Sequence, residues 1–311
     1  MGIAILWIML FHSHLDLNAL PILGLIKGSG YAGVDIFMLV SGFGIFFALN
    51  KKKSLQEYYK NRMLRILPYY IPIILAYTLF LYFNNQTDIR DVVYSSTLLS
   101  FWVGITIRDW YIPAILLLYI LSPLYYHFFK KNPTTVTIVT IVLAILISLS
   151  ISNTTHSHIG LLSIRIPQYL AGFWLADFYL KNKDFEISKK GISLCLLSLF
   201  IGNILLFVFF AKYGNTWSLY GLNMYPLMLT TIPLCMLFCY LFSLFPNYKY
   251  PLLTFFGTYT LTFYIFHEKV MYIFFNCNAI EYSDLLAFLL TVVLAVGWKK
   301  LVDLILERSF R

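Results

Sequence analysis

TTVTIVTIVLAILISLSIS, residues 134–152, contains neither a charge nor a proline. A helix needs roughly 20 mostly apolar residues to cross the hydrocarbon of a bilayer. A buried strand is much shorter, about 4–8 residues, so the length of the run decides for a helix. Lipid offers no partner for a backbone N–H or C=O, which again selects a helix. Lys130 and Lys131 stand just ahead of the run, separated from it by Asn132 and Pro133, as they would on a cytoplasmic flank.

Working outward from this segment, eight more runs read the same way: about 31–49, 68–83, 110–129, 164–180, 191–211, 225–245, 253–275 and 285–305. A tenth starts at Gly2, but only Gly2 to Phe11 is uninterrupted; His12, Ser13, His14 and Asp16 follow. The stretch 92–107 is apolar but short, and reads as re-entrant or interfacial. The whole chain of 311 residues agrees, with 60% hydrophobic residues, 12% charged and a mean hydropathy of +0.76. A soluble domain carries about 25% charged residues. A soluble enzyme, a disordered chain and a secreted disulfide scaffold are therefore excluded. The expected fold is an all-α polytopic membrane protein, a bundle of about ten transmembrane helices in a single domain over residues 1–311.

The net charge of +9 sits in short clusters between apolar runs, not in a patch on a polar fold. Topology explains it, and no nucleic-acid partner is expected. One set of alternate loops, with the C-terminal tail, holds 17 basic residues: Lys51–Lys53, Lys60, Arg62, Arg65, Lys130, Lys131, Lys181, Lys183, Lys189, Lys190, Lys249, Lys299, Lys300, Arg308 and Arg311. The opposite set holds 5: Lys27, Arg90, Arg108, Arg165 and Lys212. That bias places both termini in the cytoplasm. No cleavable signal, Walker loop, dinucleotide glycine motif or EF-hand pattern is present. Cys195, Cys235, Cys239 and Cys277 lie in or beside apolar runs, read as packing residues, and imply no disulfide.

Ionisable groups inside spans are costly and mark function by default. They are His12, Asp35, Asp177 and the triplet His267-Glu268-Lys269. Asp177 is near a cytoplasmic helix end, where snorkelling or a loop contact accounts for it. The triplet is either functional or a packed polar cluster near the interface. If residue 1 marks the cytoplasmic edge, a helical rise puts His12 about 16 Å deep, near mid-membrane. Burial in apolar surroundings favours a neutral imidazole, the form required of a general base or an acyl-accepting nucleophile. Asp35 then lies about 6 Å below the outer edge and Ser41 about 15 Å below it, so Ser41 is closer in depth to His12. Ser41-Gly42 also reads as small-residue helix packing.

Between Ser54 and Leu67, Leu55, Tyr59, Met63 and Ile66 recur at helical spacing, as in an interfacial amphipathic helix. Arg62 and Arg65 share one face of it, and paired guanidiniums suit phosphate oxygens. Positive-inside charge explains the same residues without a ligand. Trp110-Tyr111 opens a span at the outer face, where an aromatic belt is the simpler reading. His156-Ser157-His158 reads as a solvated loop pair.

GIAILWIMLFH (2–12), GVDIFMLVSGF (33–43), YYKNRMLRILPYY (58–70), DWYIPAILLLYILSPL (109–124) and LLTFFGTYTLTFYIFH (252–267) come in one order. Together they resemble the integral-membrane acyltransferase-3 family in its stand-alone form, over essentially the whole chain. The resemblance implies transfer of an acyl group, usually acetyl from acetyl-CoA, to a hydroxyl of a surface polysaccharide, lipid-linked sugar or other envelope glycan in a bacterial cell membrane. His12 matches the family's first-helix histidine, and Arg62 and Arg65 match its R-x-x-R motif, which suits the CoA phosphates. Ser41 and Gly42 match its S-G, with Met38 in place of a second aromatic. Asp35 and Ser41 join His12 in the expected catalytic set. Trp110, Tyr111 and His267 match recurring positions, expected to bind substrate. No metal is expected. The family's basic residue, eleven positions before the histidine, falls on Met1; a native start further upstream, with Arg or Lys at that position, is expected. Two mechanisms stay open: His12 deprotonates the acceptor, or it briefly carries the acyl group. The rival classes are a transporter or flippase of an envelope glycan or small solute, and a catalytically dead scaffold.

Overall fold

The computed structural model describes residues 1–17, 19–51, 54–106, 108–151, 154–182, 187–213, 224–276 and 283–309. Cys277, Lys52, Lys53, Lys183 and Arg311 lie outside them, as does the Lys212 side chain. Among the described residues the chain is helical and has no strand. The helices are α1 (Gly2–His12), α2 (Pro21–Gly28), α3 (Ala32–Asn50), α4 (Leu55–Leu64), α5 (Leu67–Phe83), α6 (Ile89–Ser96), α7 (Ser100–Val103) and α8 (Tyr111–Lys131). They continue as α9 (Pro133–Ile151), α10 (Gly160–Ser163), α11 (Ile166–Lys181), α12 (Lys189–Tyr213), α13 (Leu227–Ser243), α14 (Pro251–Thr258), α15 (Thr260–Asn276) and α16 (Ser283–Ser309).

Among the described residues, six helical segments are long and apolar enough to cross a membrane, and a seventh if α4 and α5 count as one bent span. Ten were expected, and the shortfall has local causes. α1 is only 11 residues long and α13 only 17. The run 253–275 divides at Tyr259, where the Thr260 hydroxyl donates to the carbonyls of Phe256 and Gly257 at 2.9 and 2.8 Å. α4 cannot run straight into α5 because Pro68 has no N–H to return to Leu64. The 92–107 stretch becomes α6 and α7, neither long enough to span. Asp88 caps α6 by accepting the Asp91 N–H at 3.0 Å, and that bond holds its carboxyl below the usual range.

The chain forms two compact units. The first comprises Met1–Val34, Lys60–Ser100 and Tyr250–Arg311. In it α1 packs on α14 and α15, and α5 on α15 and α16. Ala4, Ile5, Ile8, Phe256 and Phe263 are buried, with the two phenylalanine rings 5.0 Å apart. The second unit comprises Asp35–Tyr59 and Phe101–Lys249. Its core is aromatic: Phe46 meets Phe129 and Phe173 at 6.0 and 5.9 Å, both edge-on. α3 and α11 cross so closely that a Cβ on Gly42 would collide with the Tyr169 carbonyl, and one on Gly172 with the Leu39 carbonyl. Small residues at a crossing are how helices associate where no hydrophobic force separates lipid from protein. Ile138, Val139, Val142, Leu143 and Leu146 of α9 are exposed apolar side chains, as a lipid-facing helix requires.

Asp177 is met by Lys181 of its own helix at 2.6 Å and by Lys130 of α8 at 3.5 Å, so helix-end lysines account for it instead of a loop contact. Cys195 and Cys235 are buried free thiols, whereas Cys239 is exposed. The 156–158 loop differs from its reading: His156 is exposed, but His158 is buried with its ring edge-on to Phe101 at 5.3 Å.

Candidate active site

α1 is an unbroken apolar helix whose last residue is His12. Ser13 ends it by turning extended, at φ −66° and ψ 154°, while its hydroxyl donates to the Leu10 carbonyl at 2.7 Å. The end of α1 meets the middle of α15, where His267 and Glu268 sit side by side. Successive helical residues diverge by about 100°, so the two flank an incoming ring instead of stacking. His12 Nδ1 lies 3.1 Å from His267 Nε2, and His12 Nε2 lies 3.0 Å from Glu268 Oε1. His267 is fully buried, while the side chains of His12 and Glu268 are 32% and 23% exposed.

The hydrogen positions follow from the partners. His267 Nδ1 faces the carbonyl oxygens of Tyr264 and Phe263 at 2.8 and 3.1 Å. Carbonyls only accept, so Nδ1 carries the hydrogen, and in the neutral ring Nε2 must accept. His12 Nδ1 therefore donates to His267. That leaves His12 Nε2 against a carboxylate oxygen, two acceptors unless a proton lies between them. The His12–Glu268 pair thus holds one proton beyond a neutral imidazole and a carboxylate.

Two nitrogens and a carboxylate oxygen within 4.8 Å of one another are also a donor set that a zinc-like cation takes. Both His12 nitrogens are already engaged, so a cation would have to replace one of those hydrogen bonds. Lys269, next along α15, is buried with its ammonium 5.6 Å above the Tyr77 ring.

Arg62 and Arg65 belong to the same unit as His12. Arg62 is half-buried in the last turn of α4; Arg65 is exposed in the turn between α4 and α5, one residue beyond the helix. The end of α4 at Leu64 thus falls between the two residues. The break follows from Pro68.

The other expected site residues lie in the second unit. Asp35 on α3 is fully buried, with Oδ1 3.4 Å from Arg165 Nε, an ion pair that falls short of hydrogen-bond geometry. Arg165 is itself buried, donates from Nη1 to the Leu161 carbonyl at 3.0 Å and lies 4.7 Å over the Trp110 ring. Trp110 caps the N-terminus of α8; Tyr111 begins it, buried, with its ring 5.9 Å from Phe37. Ser41 is half-buried beside the close crossing at Gly42. The structure thus brings His12 and His267 together and seats Trp110 beside the partner of Asp35. Glu268, singled out in the sequence only as part of the triplet, and Arg165 are the residues that the expected site did not include. The adjacency of Glu268 to His267 was a usable signal; Arg165 was read as a loop charge.

Residues 2–299 match the acyltransferase-3 family model, an acyltransferase domain. The chain belongs to this family. No curated protein and no solved structure matches it. Membership makes this chain a membrane acyltransferase by family, and its several apolar helices are those of a multi-pass integral membrane protein. An acyltransferase requires an acyl donor.

Proposed function

We propose that this acyltransferase moves an acetyl group from acetyl-CoA to a hydroxyl of an envelope glycan, as a single domain of ten membrane helices with cytoplasmic termini in a bacterial cell membrane. The observation that carries the reading is the chain Glu268–His12–His267, with contacts of 3.0 and 3.1 Å. His267, fixed by two backbone carbonyls, orients the His12 ring. His12 and Glu268 together take the acceptor's hydroxyl proton as its oxygen attacks the thioester carbonyl. The carbon–sulfur bond then breaks, and the pair returns one proton to the CoA thiolate. The products are an ester and free CoA, and the pair ends as it began. In the covalent variant, His12 Nε2 leaves the shared proton on Glu268 and attacks the thioester carbonyl, CoA leaves as its thiolate and takes that proton, and the acceptor hydroxyl then displaces the imidazole while its own proton passes to Glu268; trapping labelled protein without acceptor separates the two routes.

Arg62 and Arg65 are proposed to hold the CoA phosphates, for which paired guanidiniums are suited. Asp35, Ser41, Trp110 and Tyr111 keep the catalytic and substrate roles that the family resemblance implies, and rest on that resemblance alone. The transporter reading is disfavoured by the proton-holding pair, which a passive flippase does not need.

The test is acetyl transfer from radiolabelled acetyl-CoA by membranes containing the wild type, His12→Ala or Glu268→Gln at matched levels. Labelled glycan from the wild type alone supports the proposal. Equal labelling by His12→Ala overturns the site, and no labelling by any of the three overturns the reaction.

A further inference from the structure

The junction of α1 with α15 presents a lone pair as well as protons. His267 Nδ1 donates to the Tyr264 and Phe263 carbonyls at 2.8 and 3.1 Å. Those two bonds fix the ring and turn the Nε2 lone pair toward His12. A histidine that ligates a metal is usually held in this way, with its other ring N–H given to a backbone carbonyl or a carboxylate. His267 is fully buried on α15, so its nitrogen is aimed by the helix and not by a mobile loop. His12, His267 and Glu268 all belong to the first unit.

The distances suit a cation between the rings. His12 Nδ1 and His267 Nε2 are 3.1 Å apart. Two imidazoles on one tetrahedral zinc, each bonded at about 2.0–2.1 Å, hold their nitrogens about 3.3 Å apart. The rings are tilted by 47° with centroids 5.0 Å apart, so neither lies flat over the other. One donor atom from each of His12, His267 and Glu268 falls within 4.8 Å of the others. Glu268 is partly exposed, and a rotation of its side chain brings the carboxylate in as the third ligand. His12 is partly exposed as well, which leaves a fourth position open to water. Two histidines, one carboxylate and a water form a zinc donor set. Imidazole nitrogens select against Mg²⁺ and Ca²⁺, which take oxygen ligands.

We propose that His12, His267 and Glu268 form an inhibitory site for a zinc-like divalent cation, which enters between the rings in place of the His12–His267 hydrogen bond. Seating the cation expels one proton to solvent, the one on His12 Nδ1. The proton shared with Glu268 stays on His12 Nε2 as the carboxylate turns to the metal. His12 then has one nitrogen on the cation and a hydrogen on the other, and Glu268 is coordinated. Nothing is left to take a hydroxyl proton, so acyl transfer stops while the cation stays. The inference rests on the acyltransferase reading for what the cation stops, whereas the binding itself stands on the geometry.

Binding is read first, without turnover. The full-length protein in detergent, stripped of metal by a chelator, is titrated with Co²⁺, whose visible bands become intense when it is four-coordinate. The wild type should develop these bands up to one equivalent, and Zn²⁺ but not excess Mg²⁺ should bleach them. His267→Ala should weaken Co²⁺ binding by about 100-fold or more, above the 10–100-fold typical of losing an outer-shell partner. His156→Ala, which alters the exposed member of the other histidine pair, should bind as the wild type does. X-ray absorption of the zinc-loaded wild type keeps the test decisive if His267→Ala misfolds. It should show two imidazoles at about 2.0–2.1 Å. A sulfur in the shell would instead place the zinc on a thiol such as the exposed Cys239. In membranes given radiolabelled acetyl-CoA, the Zn²⁺ concentration that bleaches the bands should stop glycan labelling, and a chelator should restore it. Absent bands, a sulfur or all-oxygen shell, displacement by Mg²⁺, weakened binding in His156→Ala or unchanged binding in folded His267→Ala overturns the site. Undiminished labelling with Zn²⁺ overturns the inhibition. No labelling by the metal-free wild type overturns the enzyme reading and the inhibition with it, while the Co²⁺ titration still decides the site.

Discussion

Glu268→Gln is the sharpest perturbation of the proposed site. It keeps the size of the side chain and a hydrogen bond across the 3.0 Å contact, since the amide can donate to His12 Nε2. What it removes is the shared proton: the amide neither releases one nor takes one up. His12 becomes a neutral ring with both nitrogens satisfied and nowhere to pass the acceptor's proton. Removing a general acid–base group costs about 10²–10⁴-fold in rate, or about 3–5.5 kcal/mol of transition-state stabilisation. The loss should fall on kcat, with KM for acetyl-CoA unchanged, because Glu268 is not assigned to the donor phosphates. Glu268→Asp retains the charge but withdraws it by one methylene, about 1.5 Å, opening the contact well past hydrogen-bond range. It should therefore be nearly as slow. The assay is release of CoA thiol by the protein in proteoliposomes, supplied with acceptor and followed with a thiol-reactive dye. Wild-type kcat in Glu268→Gln would refute the shared-proton argument, whatever His12 does.

Asp35→Ala should strand the buried Arg165 charge and cost about 3–5 kcal/mol of stability, seen as a large drop in unfolding midpoint in detergent. The double change Asp35→Leu with Arg165→Met should recover much of that loss; if the double variant is no better than the single, the two residues are not a pair. Gly172→Leu should give almost no folded protein by size-exclusion chromatography, because its side chain would enter the α3 backbone; normal yield would contradict the close crossing. Arg62→Ala and Arg65→Ala should each raise KM for acetyl-CoA roughly 10–100-fold, the worth of a hydrogen bond to a charged group, with a reduced dependence on salt. An unchanged KM in both would remove them from donor binding.

Helices were the most legible feature of this sequence, because long, nearly charge-free runs in so apolar a chain admit little else. Runs such as 134–152 and 31–49 became α9 and α3 almost residue for residue. Breaks were less legible. Nothing in the run 253–275 marks Tyr259 as a divide, since Thr258 and Thr260 stop the helix through side-chain bonds to carbonyls that a hydropathy window ignores. At Arg65 the signal for the helix end existed in Pro68, which helical spacing alone does not register. The site was legible one residue at a time. His12 stood out as a histidine at the end of an apolar run, and His267 as part of a charged triplet inside one. Their contact spans 255 residues of chain, and no local pattern encodes which helix α1 packs against. The Asp35–Arg165 pair has the same character: Arg165 looks like an ordinary loop cation until α10 and α11 fold it inward.

The most direct measurement is solution NMR of envelope glycans for O-acetyl groups, on a deletion strain carrying either the wild-type gene or His12→Ala at equal membrane abundance. The wild type should restore the acetyl methyl signals and the downfield shift of the esterified sugar protons, and His12→Ala should restore neither. Equal restoration by both would show that acyl transfer does not run through His12.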